Sequence, residues 1–382
     1  MRIIICKQNL YGGTDKLLER LAMWLIEQRY DVEIMGDINT IKANKFELAI
    51  IPSSQMGDLW RLKKRGIEVE RVLVWILGMG AFYESYYNEA QNVGLKKIPI
   101  KFLQKEASAT LAWLYEHNSI IYTDEVGAYN TYRKEKWDYK QNLDDNLVPI
   151  AIEIKKLEES KIREKAAEIN MAWVGRVSND FKSIPLQQLI DDINEWTLYN
   201  EQKIKLTIVG TGDAVEKIRK KCAEVRFPVQ FIEEIDYEKL GDFISKHVDL
   251  LVAMGTSALD GAKVGCPTMV ITPVRESDPH NVYYRWIYES KGYSLGEFSG
   301  IDIETNQIRK SFSEMLSEYI EKEDQGEKSY EYAKNFETNN VFQKLMDREK
   351  SLLLDRKMWR HIKRFYYLKE TKRKLKKIIR RM

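Results

Sequence analysis

Cysteine is scarce in this chain: Cys6, Cys222 and Cys266 are the three in 382 residues, far apart and never in a CxxC pair. That spacing disfavours a disulfide framework or a zinc ribbon and fits a reducing compartment. Histidine is nearly as sparse; His117, His247, His280 and His361 have no partner at ligand spacing, and no Asp-x-Asp metal motif occurs. Long apolar runs are missing too. The longest, residues 72–83, contains two glycines and falls well short of the ~20 residues a membrane span needs. The N-terminal run Ile3-Ile4-Ile5-Cys6 stops at Lys7, whereas the core of a secretion signal needs roughly 7–15 residues. With no short-period repeat or low-complexity tract, these absences lead to the expectation of a cytoplasmic α/β protein of about two domains.

What is present is an uneven distribution of charge. Lys and Arg number 61 and Asp and Glu 58, a net +3 that looks balanced. Residues 355–382 alone hold 13 Lys/Arg against 2 Asp/Glu, a local +11, which leaves the rest of the chain at −8. In that tail Met358, Ile362, Phe365, Leu368, Leu375, Ile378, Ile379 and Met382 recur every three or four positions among the basic residues. Such a helix suits an anionic membrane surface contacted through residues 357–382. Docking on the protein's own body is the alternative. Nucleic acid is the weakest of the three readings, because stacking platforms and a recognisable nucleic-acid fold are missing.

The body reads as strands alternating with amphipathic helices. Apolar strands are expected at residues 2–7, 31–35, 46–52, 69–77, 119–123 and 146–152, and this rhythm predicts a parallel sheet covered on both faces. Residues 153–169 are highly charged and read as a helix. The rhythm then restarts at 171–174, 205–209, 229–232, 250–253 and 268–272, and from Ser311 onward the pattern is helical. Two doubly wound Rossmann-like domains are expected, at 1–155 and 156–340, with closing helices and the basic tail at 341–382. In such tandem folds ligands bind beyond the carboxyl ends of the strands, in a cleft between the sheets.

Four loops fall at those strand ends. Gly12-Gly13-Thr14 joins the first strand to a helix and offers close backbone approach and free N–H groups; a tight turn explains it equally. Arg176 and Lys182 come after a strand and suit a diphosphate, or are solvated surface charges. Gly210 and Gly212 lie in a Gly-Thr-Gly too short for a dinucleotide fingerprint. Gly255, Thr256 and Ser257 open a helix with Asp260 in its first turn or so, a pattern for phosphate and ribose or for a capping box.

The order of these pieces, ending in Gly-Thr-Ser-Ala-Leu-Asp-Gly-Ala-x-x-Gly-x-Pro and a late Tyr332-Ala333-Lys334-Asn335-Phe336 before a helix, resembles the GT-B glycosyltransferases, especially the family 4 type, over nearly the whole chain. The resemblance implies two Rossmann-like domains facing a cleft, with C-terminal helices returning to the first domain. It implies a nucleotide-sugar donor held by Arg176 and Lys182 at the diphosphate, by Gly210 and Gly212 near the base, by Gly255, Thr256 and Ser257 under the phosphates and by Asp260 at the ribose. Gly12, Gly13 and Thr14 match the acceptor-side loop. The chain departs from the pattern at Val252, where the family carries a glutamate, and at Gly78-Met79-Gly80, where a histidine is usual.

The function so implied is sugar transfer, without a metal or other cofactor, to a hydroxyl of a lipid-linked saccharide in bacterial surface-polysaccharide synthesis, at the inner face of the cytoplasmic membrane. Asp15, Glu84 and Asp124 are the candidate bases, and spacing does not choose among them. The missing glutamate keeps open a GT-B-like protein that binds a partner or sugar nucleotide without turnover, and a nucleotide-sugar epimerase of the same fold is a third reading.

Overall fold

The computed structural model describes residues 1–7, 13–78, 82, 100–133, 143–154, 168–276, 281–298, 306–348 and 354–379. Backbone contacts divide the chain into two units, one formed by Met1–Ala151 with Asn339–Met382 and the other by Ile152–Thr338.

In the first unit the β-branched run Ile3-Ile4-Ile5 becomes the centre of β1 (Arg2–Cys6), fully buried. After it come α1 (Gly13–Glu27), β2 (Asp31–Met35), β3 (Lys45–Pro52), α2 (Met56–Lys64), β4 (Glu68–Ile76), α3 (Ile100–Glu116), β5 (Ile120–Tyr122) and α4 (Glu125–Tyr132). The strands pair in the order β2-β1-β3-β4-β5 and every pairing is parallel. Parallel strands covered on both faces have no solvent side, so they read as continuous apolar runs rather than alternating ones. Residues Leu17, Leu18, Leu21 and Leu25 of α1 close one face of that sheet against Ile3, Ile5, Leu48 and Ile50.

The second unit runs β6 (Glu168–Val174), α5 (Ser183–Tyr199), β7 (Lys203–Val209), α6 (Val215–Cys222), β8 (Val229–Ile232), α7 (Tyr237–His247), β9 (Leu250–Ala253), α8 (Thr256–Ala262), β10 (Thr268–Ile271), β11 (Tyr284–Trp286), α9 (Phe312–Glu321) and α10 (Gln325–Ala333). Its sheet has the order β11-β10-β9-β6-β7-β8. All its pairings are parallel except the edge strand β11, which runs antiparallel to β10.

The chain then returns to the first unit through α11 (Thr338–Asp347) and α12 (Arg356–Ile379). From α11, Val341, Phe342, Leu345 and Met346 enter the core of the first sheet, and the Trp24 indole donates to Asn339 Oδ1 at 2.8 Å. Asp355 caps α12 by accepting the Met358 N–H at 2.6 Å. Met358, Ile362 and Phe365 are then buried on one stripe. Gly57 of α2 makes that contact close: a methyl group there would lie 3.4 Å from the Tyr366 Cα and 3.6 Å from the Phe365 ring. A polar bond adds to the seat, because Glu106 of α3 accepts from His361 at 3.2 Å and from Arg364.

Three expectations are corrected by these elements. Residues 146–152 do not form a strand; a helical turn ends at Asn146, and the chain beyond it is extended, with single bridges from Leu147 to Tyr122 and from Ile152 to Glu337. Of the charged stretch read as a helix, Glu168 and Ile169 open β6, and residues 155–167 lie outside the described residues. The first half of the tail's apolar stripe is spent on the protein's own body, so Met358, Ile362 and Phe365 are not available to a membrane.

Truncating Ile362 to Ala should therefore cost the first unit about 2–5 kcal/mol in urea unfolding, the range for deleting a buried aliphatic side chain. The carboxyl of Glu106, though burial works against it, is held below its ordinary value by Arg364 and His361. A depressed carboxylate stabilises the fold above its unfolded-state pKa, and that contribution is lost as pH falls through the folded one. Glu106→Gln should lower stability at neutral pH and flatten its fall in acid.

Candidate functional site

The sequence-selected residues of the second unit gather at the carboxyl ends of three neighbouring strands, β9, β6 and β7. Beyond β6 and β7 the ladder continues into the loops. Gly175 N–H donates to Val209 O at 3.0 Å, Val177 N–H to Thr211 O at 2.9 Å, and Ala214 N–H to Val177 O at 3.0 Å. This zipper needs glycine at two points. A Cβ on Gly210 (φ +146°) would stand 2.0 Å from the Gly175 carbonyl oxygen, and one on Gly212 (φ +155°) 2.1 Å from that of Val177. Both contacts are with backbone, which cannot swing aside, so these glycines are required by the meeting of two loops.

The zipper fixes Gly175, and three polar groups converge on its open side. A Cβ there would lie 3.4 Å from Lys182 Nζ, 3.8 Å from Ser257 Oγ and 3.9 Å from Trp173 Nε1. The Trp173 indole is buried and its N–H has no hydrogen-bond partner. Among the described residues Lys182 makes no ion pair within 4 Å. Burial pushes its ammonium below the ordinary lysine value; Arg176 adds to the shift and Asp180 opposes it. A half-buried cation, a hydroxyl and an unpaired indole donor around one glycine are groups of the kind that can hydrogen-bond an anion.

Arg176 stands apart from that convergence. Its side chain is 68% exposed and reaches Asp180 at 3.5 Å, a surface pair of little energetic weight. Thr256 is exposed at the start of α8, and Gly255 is the N-cap residue, with φ +63° and its N–H donated to Leu295 O at 2.6 Å. The capping box that stood as the alternative, from Thr256 or Ser257 with Asp260, is not formed. Instead Asp260 is buried and accepts from Lys263 Nζ at 2.7 Å through Oδ1. Against the effect of burial, Asp260 and Tyr237 hold that ammonium above its ordinary value. Val252, at the position of the family's glutamate, is an interior residue of β9.

In the first unit a cavity of about 140 Å³ opens where β3 and β4 end. Thr14, Ser53 and Ser54 supply hydroxyls to its wall, and Pro52, Trp75 and Leu77 supply apolar surface. The buried Trp75 N–H has no partner. Thr14 thus meets a cavity, while Gly12 lies outside the described residues and Gly13 is described only as the first residue of α1. Asp15, next after Thr14, is buried in the first helical turn. Asp124 is occupied otherwise: it is the N-cap of α4, accepting the Gly127 N–H at 2.6 Å. Glu84 lies outside the described residues.

Sequence reasoning missed Trp173, Trp75 and Lys263. Trp173 comes three residues before Arg176, and Lys263 is three residues after Asp260, a spacing that puts both on one helix face. Nothing in sequence distinguishes an indole whose N–H lacks a partner from one that has found one.

No protein-family model matches the chain, and no curated protein matches it in sequence. Solved structures match in fold. The lipopolysaccharide outer core galactosyltransferase WaaB is 12% identical, with 91% of this chain and 99% of that one covered at a TM-score of 0.50. WaaG, a glycosyltransferase involved in lipopolysaccharide biosynthesis, is 13% identical over 90% and 98% of the two chains, with a TM-score of 0.46. TarM of S. aureus is 13% identical at a TM-score of 0.47, over 79% of this chain; the match spans 55% of TarM's own length. At such identities the likeness is one of architecture: this chain has the GT-B fold, with two mostly parallel sheets and surrounding helices.

Two substitutions test the roles read from this geometry. Gly212→Ala should force the β6 and β7 loops apart and cost about 2 kcal/mol or more, combining backbone strain with a clash. Asp124→Ala should cost about 1 kcal/mol, as for a lost helix cap, in chemical denaturation.

Proposed function

We propose that this protein is a glycosyltransferase that moves a sugar from a nucleotide-sugar donor to a hydroxyl of a saccharide acceptor, with the donor's diphosphate seated against Gly175. The observation that carries the reading is the convergence of Lys182, Ser257 and the unpaired Trp173 N–H on the one face of Gly175 that has no side chain. In sugar transfer the difficult event is departure of a nucleoside diphosphate, whose negative charge grows as the glycosidic bond breaks. Donors already fixed by packing stabilise that charge without reorganising. Lys182 gives the positive charge, Ser257 and Trp173 give neutral hydrogen bonds, and the exposed Arg176 is free to swing from Asp180 onto an outer phosphate oxygen. Asp260, oriented by Lys263 through one oxygen, keeps the other for a ribose hydroxyl.

The acceptor belongs in this reading to the first unit. A cavity lined by Thr14, Ser53 and Ser54 together with Trp75, Pro52 and Leu77 suits a sugar ring, which has polar edges and apolar faces. Asp15 is the base candidate nearest in sequence to that cavity, directly after Thr14. Asp124 is disfavoured by its capping bond. A lipid-linked acceptor of surface-polysaccharide synthesis, met at the inner face of the cytoplasmic membrane, agrees with the basic tail at residues 357–382. The same cations make a divalent metal unnecessary, so turnover should survive chelation.

Calorimetric titration of uridine and guanosine diphosphates tests the donor seat. Wild type is expected to bind at least one of them, and Lys182→Ala to weaken that binding by tenfold or more, the loss of a charge-assisted hydrogen bond. Because burial depresses the lysine's pKa, the cation persists only below that lowered value. Affinity should be flat there and fall, with proton uptake on binding, as pH rises through it. Equal affinity in wild type and variant would remove the diphosphate from this position. Labelled donors then separate the chemistries: transfer or slow donor hydrolysis supports the enzyme, conversion of the donor alone supports an epimerase, and binding without either supports a non-catalytic protein.

A further inference from the structure

The seam between α2 and α12 carries an arrangement that the tail's sequence does not show. Three half-buried aromatic rings line it, and each is covered by a lysine from the opposite helix. Lys63 Nζ of α2 lies 4.0 Å from the centre of the Trp359 ring of α12, and Lys64 Nζ lies 5.3 Å from that of Tyr366. In the other direction Lys363 Nζ of α12 lies 5.4 Å from the Trp60 ring of α2. Trp60 and Trp359 are themselves neighbours, with ring centres 6.3 Å apart. The three lysines are exposed, Tyr367 beside them is 48% exposed, and α12 continues from here for three more turns in which residues 368–379 hold six Lys/Arg and one acid.

We propose that this seam, rather than the apolar stripe of the tail, is a docking surface for an anionic lipid bilayer, with Trp60, Trp359 and Tyr366 at the level of the headgroups and Lys63, Lys64 and Lys363 paired with lipid phosphates. The first half of that stripe cannot serve, because Met358, Ile362 and Phe365 are buried within the first unit. The seam can, for three reasons. Indole and phenol rings are amphipathic and settle at the boundary between hydrocarbon and water. Lysine stems lie along apolar surface while their ammonium groups reach out to phosphate. The concentration of positive charge, +11 over residues 355–382, complements a negatively charged leaflet. A nucleic acid is the poorer fit, since single strands bind by stacking bases on open aromatic faces and here lysines stand over those faces. This inference deepens the peripheral-membrane part of the proposed function and is independent of the sugar chemistry.

Flotation of the full chain with vesicles of phosphatidylglycerol and phosphatidylcholine tests it, without any nucleotide present. Wild type should bind these vesicles, fail on phosphatidylcholine alone and detach in high salt. The triple variant Lys63→Gln/Lys64→Gln/Lys363→Gln should bind roughly a hundredfold more weakly. Lipids brominated near the headgroup should quench wild-type tryptophan fluorescence, and Trp60→Phe/Trp359→Phe should lose that quenching; this variant keeps aromatic rings and the lysines and so reports even if the triple variant folds poorly. Unchanged quenching in the double variant, or unchanged vesicle affinity in a folded triple variant, overturns the proposal. So does binding of a single-stranded oligonucleotide with no response to bromolipid. Because diphosphate titration is read separately, failure here leaves the donor seat standing, and failure there leaves this surface standing.

Discussion

The meeting of two loops beyond β6 and β7 is the constraint on which the rest of the second unit's chemistry depends. Three backbone hydrogen bonds draw the loops together, and the contact is possible only because residues 210 and 212 have no Cβ. Backbone held to backbone in this way does not drift with side-chain rotamers. It fixes the plane of Gly175, and Gly175 in turn leaves the space on which a lysine, a serine and an indole converge. The glycines of the Gly-Thr-Gly motif thus act by letting backbone meet backbone. They build the floor, and Trp173 of β6, Lys182 at the start of α5 and Ser257 of α8 furnish it.

A buried or half-buried polar group with no partner is costly. In this protein the Trp173 N–H beside Gly175 is such a group, as is that of Trp75 beside the cavity of the first unit; the indoles of Trp60, Trp113 and Trp196 are others. The contrast with the second unit's other ions is instructive. Arg285 and Glu297, both fully buried, satisfy each other with two bonds at 2.6 and 2.8 Å; Arg285 also donates to Ser290 Oγ, and Glu297 also accepts from Ser294 Oγ. That cluster is closed. The set around Gly175 is open, and its openness is what a negatively charged ligand would relieve.

Much of the fold is legible in sequence because parallel strands leave long apolar runs, and the runs at β1, β3, β4, β6, β7, β9 and β10 mark those strands to within a few residues. The elements that escape have a weaker signal. The strand β11 is three residues long, Tyr284–Trp286, and is held by side-chain bonds to other elements: Tyr284 donates to Asp192 and Trp286 to Glu318. The segment at 146–152 is as apolar as a strand because it is buried, but it lacks a neighbour to pair with along its length. At the site, the loops are legible from their glycines, while the partition of acids is not. Asp124 caps a helix and Asp260 binds a lysine, and both facts depend on where an N–H or an ammonium falls in space. The basic tail illustrates the same limit, since its periodicity is equally good for a membrane and for the protein's own helices, and packing decides for the latter along its first half.

If Gly175, Lys182, Ser257 and Trp173 together seat a nucleoside diphosphate, a crystal structure of the protein soaked with the tightest-binding diphosphate will show it there. Phosphate oxygens are expected within hydrogen-bonding distance of Lys182 Nζ and Ser257 Oγ, with the Trp173 N–H turned toward the same ligand. A diphosphate bound elsewhere on the second unit, with the space over Gly175 filled only by water, would contradict this assignment.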